Sequence, residues 1–556
     1  LFPDHARGLA SSLSIMTTWL FAAVFLLSLD HAIEATSMQA VFFFFVVISF
    51  VLMVFIWWLL PETKGKTLDE VQLLFRAEHP VKVHSMGSSN HDVDLLGGVA
   101  VGVGLAFTGP TIDTMRNTVI DTAGNHIDIG TDSDLHVLKS GTESSIFGAI
   151  LLVGAIIGTL VGGPLADAVG RRAPFFIASV ISVPSFVVLG CISNVYGLMI
   201  VRVVNGSAVG IYWSVVSVYI GEVAPTRLRG VLGGAVSLAI ALGIALTYTF
   251  GVAAVTDASA PGVTSKVFCN WRLVSFLCTI PSGVQLFTPF VIPESPRWLA
   301  MRGRTEEARR VLVRLRGVLP TDPELSKELA ALCSAATDTY NLRRVFHSWI
   351  LCWREALISV MIHVLVQFTG VSVATFFQTS IFLKARLGRP DIMAITVQLV
   401  TVAANAVACC FIERSGRRPL LLISCLGMMV GQLVMGAYFY MDRNGTASNL
   451  AWLSVVSAYL YQIAYAFGSG PVRFMISSEI FPDQIRSFAA SMSALGNTVS
   501  GFVCLVTLDY AISGTSIEAV FWFFACIAAM LFTFVYLMVP ETKGKSLDEV
   551  RALFVH

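Results

Sequence analysis

Two distant stretches place an acid three residues ahead of Gly-Arg-Arg: Asp167…Gly170-Arg171-Arg172 and Glu413…Gly416-Arg417-Arg418. A second pair repeats an acid seven residues before an arginine, Glu222 before Arg229 and Glu479 before Arg486. A third repeats Pro-Glu, in Pro293-Glu294-Ser295-Pro296-Arg297 and in Pro540-Glu541-Thr542-Lys543-Gly544. Carboxylates and guanidinium groups at these spacings make charge-assisted pairs rather than acid–base catalysts. Glycine permits a tight turn between the acid and its arginines. Seven residues is two helical turns, so each acid and its arginine are expected on one helix face. Arginine pairs alone would fit simple anchoring, but the matched acids would remain unexplained.

These charges stand in a very apolar chain. The 556 residues carry a net charge of +1, only 13% charged residues, 55% hydrophobic residues and 38 Phe. A soluble fold needs a charged surface, so this composition points to a polytopic protein of the lipid bilayer. The near-zero charge argues against a nucleic-acid partner. Apolar runs fall near 9–30, 38–60, 95–115, 145–165, 174–193, 196–219, 230–252 and 272–292. After a charged segment at 297–348 come six more, near 351–383, 391–412, 419–440, 451–477, 487–511 and 518–539. Each is long enough for a spanning helix, which satisfies its own backbone in lipid. The expected architecture is all-α, with twelve helices in two sets of six and two extra helices ahead of them. Charges at a bilayer edge are costly unless paired, so the matched acids and arginines predict a latch between the two six-helix halves.

An internal repeat accounts for the extra pair. Residues 1–75 align with 480–554 without a gap and are identical at nearly half of the positions, including Pro61-Glu62-Thr63-Lys64-Gly65-Lys66 against Pro540–Lys545. The divisions are therefore 1–75, a second copy of the C-terminal end; 76–94, a linker; 95–296, six helices; 297–348, a charged insert; 349–540, six helices; and 541–556, a tail. Residue 1 is Leu, which reads as a truncated or processed start. Arg171-Arg172, Arg227-Arg229, Arg414-Arg417-Arg418 and the insert are expected on the cytosolic side, so both ends of the 95–556 unit lie inside. Asn444-Gly445-Thr446 then falls outside as a glycosylation acceptor, whereas Asn205-Gly206-Ser207 sits mid-span as a chance match. The ten Cys lie mostly in apolar runs and form no CxxC, so neither zinc nor a disulfide framework is expected.

The ordered set of motifs resembles the sugar-porter branch of the major facilitator superfamily. It comprises Gly163…Asp167…Gly170-Arg171-Arg172, Arg202…Gly206…Gly210, Tyr219-Ile220-Gly221-Glu222-Val223-Ala224-Pro225, Arg229-Gly230 and Asn270-Trp271-Arg272. It continues with Pro293–Leu299, Glu413…Gly416-Arg417-Arg418, Glu479-Ile480-Phe481-Pro482, Arg486 and the final Pro-Glu-Thr-Lys-Gly-Lys. The resemblance covers about 460 residues. It implies two six-helix bundles, a central site for a hexose or similar small polar solute, alternating access and no cofactor. The insert would be the family's cytosolic helical domain, with Thr305-Glu306-Glu307-Ala308 as a capping start. The resemblance also implies gating roles for Asp167, Gly170, Arg171, Arg172, Arg202, Glu222, Arg229, Glu413, Gly416, Arg417, Arg418, Glu479 and Arg486.

The family pocket binds sugar hydroxyls through Gln and Asn amides, which both donate and accept. Here the seventh helix reads Val366-Gln367-Phe368-Thr369-Gly370-Val371-Ser372. One family Gln survives as Gln367, and the family Asn becomes Ser372. The eleventh-helix Asn is kept as Asn497. Elsewhere Ser237 replaces a Gln, Thr401 an Asn and Phe474 a Trp, while Ile244 is retained. These seven residues are the implied binding set. His363 is expected to make a structural helix–helix bond. In proton-coupled relatives a first-helix Asp stands where this chain has Thr108, which cannot titrate, and Asp113 lies five residues on, beside Arg116. Facilitated diffusion is the expectation, with proton symport and a non-transporting nutrient sensor as the alternatives. An enzyme is not expected: Gly65-Lys66-Thr67 and Gly544-Lys545-Ser546 resemble P-loop ends, but Leu60 and Val539 stand where that loop needs glycine.

Overall fold

The computed structural model describes residues 92–541, apart from 116–117, 121–125, 129–136, 139–140, 224–228, 255–269, 318–321, 337–351, 386, 388, 447–449 and 482–485. The two helices expected within 1–75, most of the 76–94 linker and the tail beyond 541 lie outside the described residues.

Helices dominate. In the N-terminal half they are α1 (Asp92–Ala106), α2 (Thr108–Met115), α3 (Gly141–Val169), α4 (Arg172–Cys191), α5 (Val195–Val223), α6 (Arg229–Ala253), α7 (Trp271–Val284) and α8 (Thr288–Val291). The insert forms α9 (Pro296–Met301), α10 (Thr305–Arg316) and α11 (Pro323–Ala336). The C-terminal half holds α12 (Trp353–Val366), α13 (Ser372–Phe376), α14 (Gln378–Lys384), α15 (Pro390–Ser415), α16 (Arg417–Arg443), α17 (Trp452–Phe467), α18 (Val472–Ile480), α19 (Arg486–Gly514) and α20 (Ile517–Met538). Among the described residues nine helical segments are long and apolar enough to cross a membrane. Three other apolar stretches, 92–115, 271–291 and 452–480, are interrupted helix pairs. One feature departs from the all-α expectation: β-branched Thr118-Val119-Ile120 pairs antiparallel with His126–Asp128 in a loop predicted to face outward.

The outer surface is apolar, with Ile157, Leu160, Phe176, Val180, Ile423 and Phe523 exposed on helix faces. In water this would be an aggregation liability; in lipid it is the ordinary outer face. With no hydrophobic drive between helices in lipid, close backbone approach must hold them together. Between α3 and α5 glycine supplies it from both sides. A Cβ on Gly154 or Gly158 would lie 1.9 or 2.0 Å from the Val203 or Ser207 carbonyl oxygen, and one on Gly206 would lie 2.0 Å from that of Leu151. Asn205 is buried on α5 at 1% exposure, whereas Asn444 is exposed at the end of α16. The two halves meet chiefly along α6 with α15 and α3 with α19.

The insert clamps the N-terminal half. Trp298 donates from Nε1 to the Asp167 carbonyl at 3.0 Å, and Arg316 donates to the Val223 carbonyl at 3.0 Å while pairing with Glu328 at 2.6 Å. The capping expected from Thr305-Glu306-Glu307-Ala308 is not made: no side chain caps α10. Arg304 reaches forward to Glu307 instead, at 2.8 and 2.6 Å, and the acids of the first turn complement the helix dipole.

Candidate substrate site and charged helix ends

The seventh apolar run is broken by its own sequence. A π-helical turn, Gln367–Val371, joins α12 to α13, and Gly370 within it has φ 95°. Any side chain there would be strained, and a Cβ would lie 2.8 Å from Phe524. The bulge frees the Thr369 carbonyl, which accepts from Gln432 Nε2 at 2.8 Å. The α17–α18 break at Gly468–Pro471 is satisfied similarly, with the Ser469 amide donating to Ser424 Oγ at 3.0 Å. Broken helices in lipid are tolerated where they are packed in protein or line a cavity.

A cavity of about 90 Å³ lies between the halves. It is lined by all seven residues of the expected binding set: Ser237, Ile244, Gln367, Ser372, Thr401, Phe474 and Asn497. Gln367 Oε1 accepts from Ser372 Oγ at 3.0 Å. Asn497 is 3% exposed, and its Oδ1 has no protein hydrogen-bond partner. Thr401 spends its hydroxyl on the Val397 carbonyl at 2.8 Å, as a lone helical threonine often does. Its own carbonyl accepts from Asn405 at 2.9 Å. His363 stands behind the lining. Its Nδ1 donates to the Ser359 carbonyl at 2.8 Å, and its ring meets Phe474 edge-on at 5.1 Å. Phe474 also packs on Trp213 across the halves, ring centroids 5.8 Å apart.

The sequence reading missed Trp213, Asn405, Gln398, Gln462, Tyr465 and Arg473, which line the same cavity. Asn405 stands one helical turn beyond Thr401 and so shares its face. Arg473 carried the stronger signal, because a charge inside an apolar run marks a functional position by default.

The charged motifs form two parallel devices. In the N-terminal half Gly170 turns the chain with φ 98°, and Glu294 accepts from the backbone amides of Arg171 at 2.7 Å and Arg172 at 3.4 Å. In the C-terminal half Gly416 turns with φ 87°, and Glu541 accepts from the amides of Arg417 and Arg418, both at 3.1 Å. Each carboxylate thus caps the unpaired N-terminus of the following helix from a distant part of its half. A Cβ on either glycine would fall on that carboxylate, 2.4 Å away for Gly170 and 2.8 Å for Gly416. Arg171 also pairs with Asp167 at 2.9 Å and with Glu222 at 2.8 Å, and Ser295 Oγ donates to Glu222 at 2.6 Å. Burial alone would lower the Arg171 pKa, but Glu222 and then Asp167 outweigh it and hold it above the usual arginine value.

These pairs each join elements of one half. Residues 224–228, between Glu222 on α5 and Arg229 on α6, lie outside the described residues, so the one-face expectation for that pair falls on undescribed chain. For the second pair the seven-residue spacing differs from expectation: extended backbone at Phe481 ends α18, so Glu479 and Arg486 lie on successive helices, α18 and α19. The side chains of Arg229, Glu413, Glu479 and Arg486 lie outside the described residues.

Arg202, grouped by sequence with these gates, lies elsewhere. It is fully buried, and it donates to Thr108 Oγ1 at 2.7 Å and to the Gly104 carbonyl at 3.4 Å. The rings of Phe107 and Phe147 lie 5.4 and 5.2 Å from its guanidinium carbon. Asp113 accepts from Ser380 Oγ at 2.7 Å, a bond from the first helix pair to the second half.

A cavity between two helical halves, broken helices around it and mirrored charged turns at the helix ends define a polytopic transporter fold. Structural comparison agrees: the proton:xylose symporter XylE bound to 6-bromo-6-deoxy-D-glucose superposes with a TM-score of 0.68 at 24% identity, over 83% of this chain and 98% of that one. The sugar (and other) transporter family profile matches residues 1–75 and 96–554, and the chain belongs to that family. Among its relatives, sugar transporter ERD6-like 7 of Arabidopsis thaliana is 31% identical over 421 residues, 74% of this chain and 85% of the relative. The facilitated trehalose transporter Tret1 of Polypedilum vanderplanki is 28% identical over 461 residues, 82% of this chain and 85% of the relative.

Proposed function

We propose that the 95–556 unit moves a hexose or similar small polar solute by alternating access of two six-helix bundles, as a facilitated uniporter. The observation that carries this reading is the cavity between the halves, with Gln367, Ser372 and Asn497 on its wall. Amides and hydroxyls both donate and accept, which matches sugar hydroxyls. Ser237, Ile244, Thr401 and Phe474 complete the proposed site, and Phe474 offers an apolar face to a sugar ring. The charged turns act as gating staples: each ties helix ends within its half, so that each half moves as one body.

The uniport reading rests on Thr108. Its hydroxyl takes the Arg202 guanidinium in a site where a carboxylate would exchange a proton. A hydroxyl there holds the arginine but carries no proton across. Relatives named for facilitated and for proton-driven transport both exist, so coupling has to be read from residues rather than from family. Uptake of labelled glucose, fructose and inositol into transporter-null cells tests the substrate class; no uptake of any of them contradicts it. A protonophore that abolishes concentrative uptake contradicts uniport.

A further inference from the structure

The central cavity holds a charge that a neutral sugar does not need. Arg473 lines it, with 3% of its surface exposed. Its Nη2 donates to Tyr465 Oη at 3.0 Å, and its guanidinium carbon lies 4.7 Å from the Phe474 ring centre and 5.6 Å from that of Tyr465. Its Nε and Nη1 have no protein partner. Among the described residues of the cavity wall it is the one charged side chain, and among the described residues it makes no ion pair with a carboxylate.

Two other buried arginines, Arg171 and Arg202, are provided for differently. Arg171 has Asp167 and Glu222. Arg202 has Thr108, a carbonyl and two rings, and it does not line the cavity. A buried cation without a counter-charge is strongly unfavourable, so an anion entering beside it gains much of what the empty site lacks. Nearby, Asn497 Oδ1 is a buried acceptor still to be filled, which suits a hydroxyl donor. A guanidinium with unfilled N–H groups and a free amide oxygen in one small cavity match a solute with both a carboxylate and hydroxyls.

We infer that the cavity takes a small hydroxylated carboxylate, such as a sugar acid, with its carboxylate on Arg473 and its hydroxyls toward Asn497. A carboxylate rather than a phosphate is favoured because one guanidinium balances one negative charge, while a phosphate monoester brings nearly two. The inference rests on the proposal that this cavity is the transport site, and it narrows the substrate class.

The test uses the full chain in proteoliposomes, with labelled D-glucuronate and D-glucose measured side by side. Expected is saturable glucuronate uptake, chased by unlabelled glucose and accelerated by an inside-positive potential, since an anion carried alone moves charge. Arg473→Gln lowers the glucuronate-to-glucose rate ratio at least about tenfold, the effect of losing a charge-assisted hydrogen bond. Arg473→Lys, which keeps the charge, restores part of that ratio. Glucose uptake with no glucuronate uptake or competition overturns the inference and leaves the sugar reading standing. Glucuronate uptake without glucose uptake supports the inference and removes the neutral-hexose reading. Uptake of neither overturns both. An unchanged ratio in folded Arg473→Gln, or glucose 6-phosphate taken in preference to glucuronate, also overturns the inference.

Discussion

The two halves share one pattern at the helix ends and differ at the cavity. At the ends Gly170 and Gly416 both take a positive φ, and Glu294 and Glu541 each receive the amides of a pair of successive arginines. At the cavity the N-terminal half contributes a mainly apolar wall that includes Leu105, Leu152, Val209, Ile240 and Ile244, with Ser237 as its small polar group. The C-terminal half contributes Gln367, Ser372, Gln398, Thr401, Asn405, Arg473 and Asn497. Under the proposed function the contrast would divide the labour: one half would recognise the solute and the other would close over it. A smooth apolar wall can slide across a bound solute without first breaking hydrogen bonds to it.

Several substitutions would break or sharpen that comparison. The largest effect is expected at the shared device. Arg171→Ala strands Glu222, whose side chain is 6% exposed, at a cost of roughly 3–5 kcal/mol. A marked fall in the melting temperature of detergent-purified protein checks this. Next comes Gly370→Ala, which forces a side chain into φ 95° against Phe524 and should cost about 1–3 kcal/mol. A ring-trimmed Phe524→Leu background should recover only the steric part of that loss. Smaller again is Asn497→Ala, expected to raise KM about tenfold with little change in melting temperature. Ser237→Ala, on the opposite wall, should stay within about twofold. If Ser237→Ala were the more damaging of these two, the division of labour would be wrong.

Thr108→Asp probes coupling separately. It sets a carboxylate against Arg202, and uptake that ignored a pH gradient in the parent should come to respond to it. Parallel flux measurements at about pH 6 and about pH 8, either side of neutrality, would detect the change.

Much of the fold was legible because spanning helices advertise themselves by apolar length. The 174–193 run became Arg172–Cys191, and the 518–539 run became Ile517–Met538. Breaks within helices were less legible. Hydropathy continues across Gly370 and across Gly468–Pro471, where only backbone dihedrals and the supporting Gln432 and Ser424 bonds reveal the interruption. The seven implied binding positions share one cavity because each was carried over from a helix face. The partners of the charged motifs were not legible. Glu294 and Glu222 reach Arg171 from 123 and 51 residues away, a proximity set by packing alone. Arg473 went unread because it lies between Val472 and Phe474 in an otherwise apolar run, where its meaning depends on which side of α18 faces the cavity.

The central claim is that the cavity between the halves is the transport site and that its C-terminal wall does the recognising. Substrate protection of a single engineered thiol, introduced by Ser372→Cys in a background whose native cysteines have been replaced, tests it most directly. Modification of that thiol by a small thiol reagent should inactivate uptake and be slowed by transported sugar in a concentration-dependent way. Inactivation that transported sugar leaves unslowed would contradict the account.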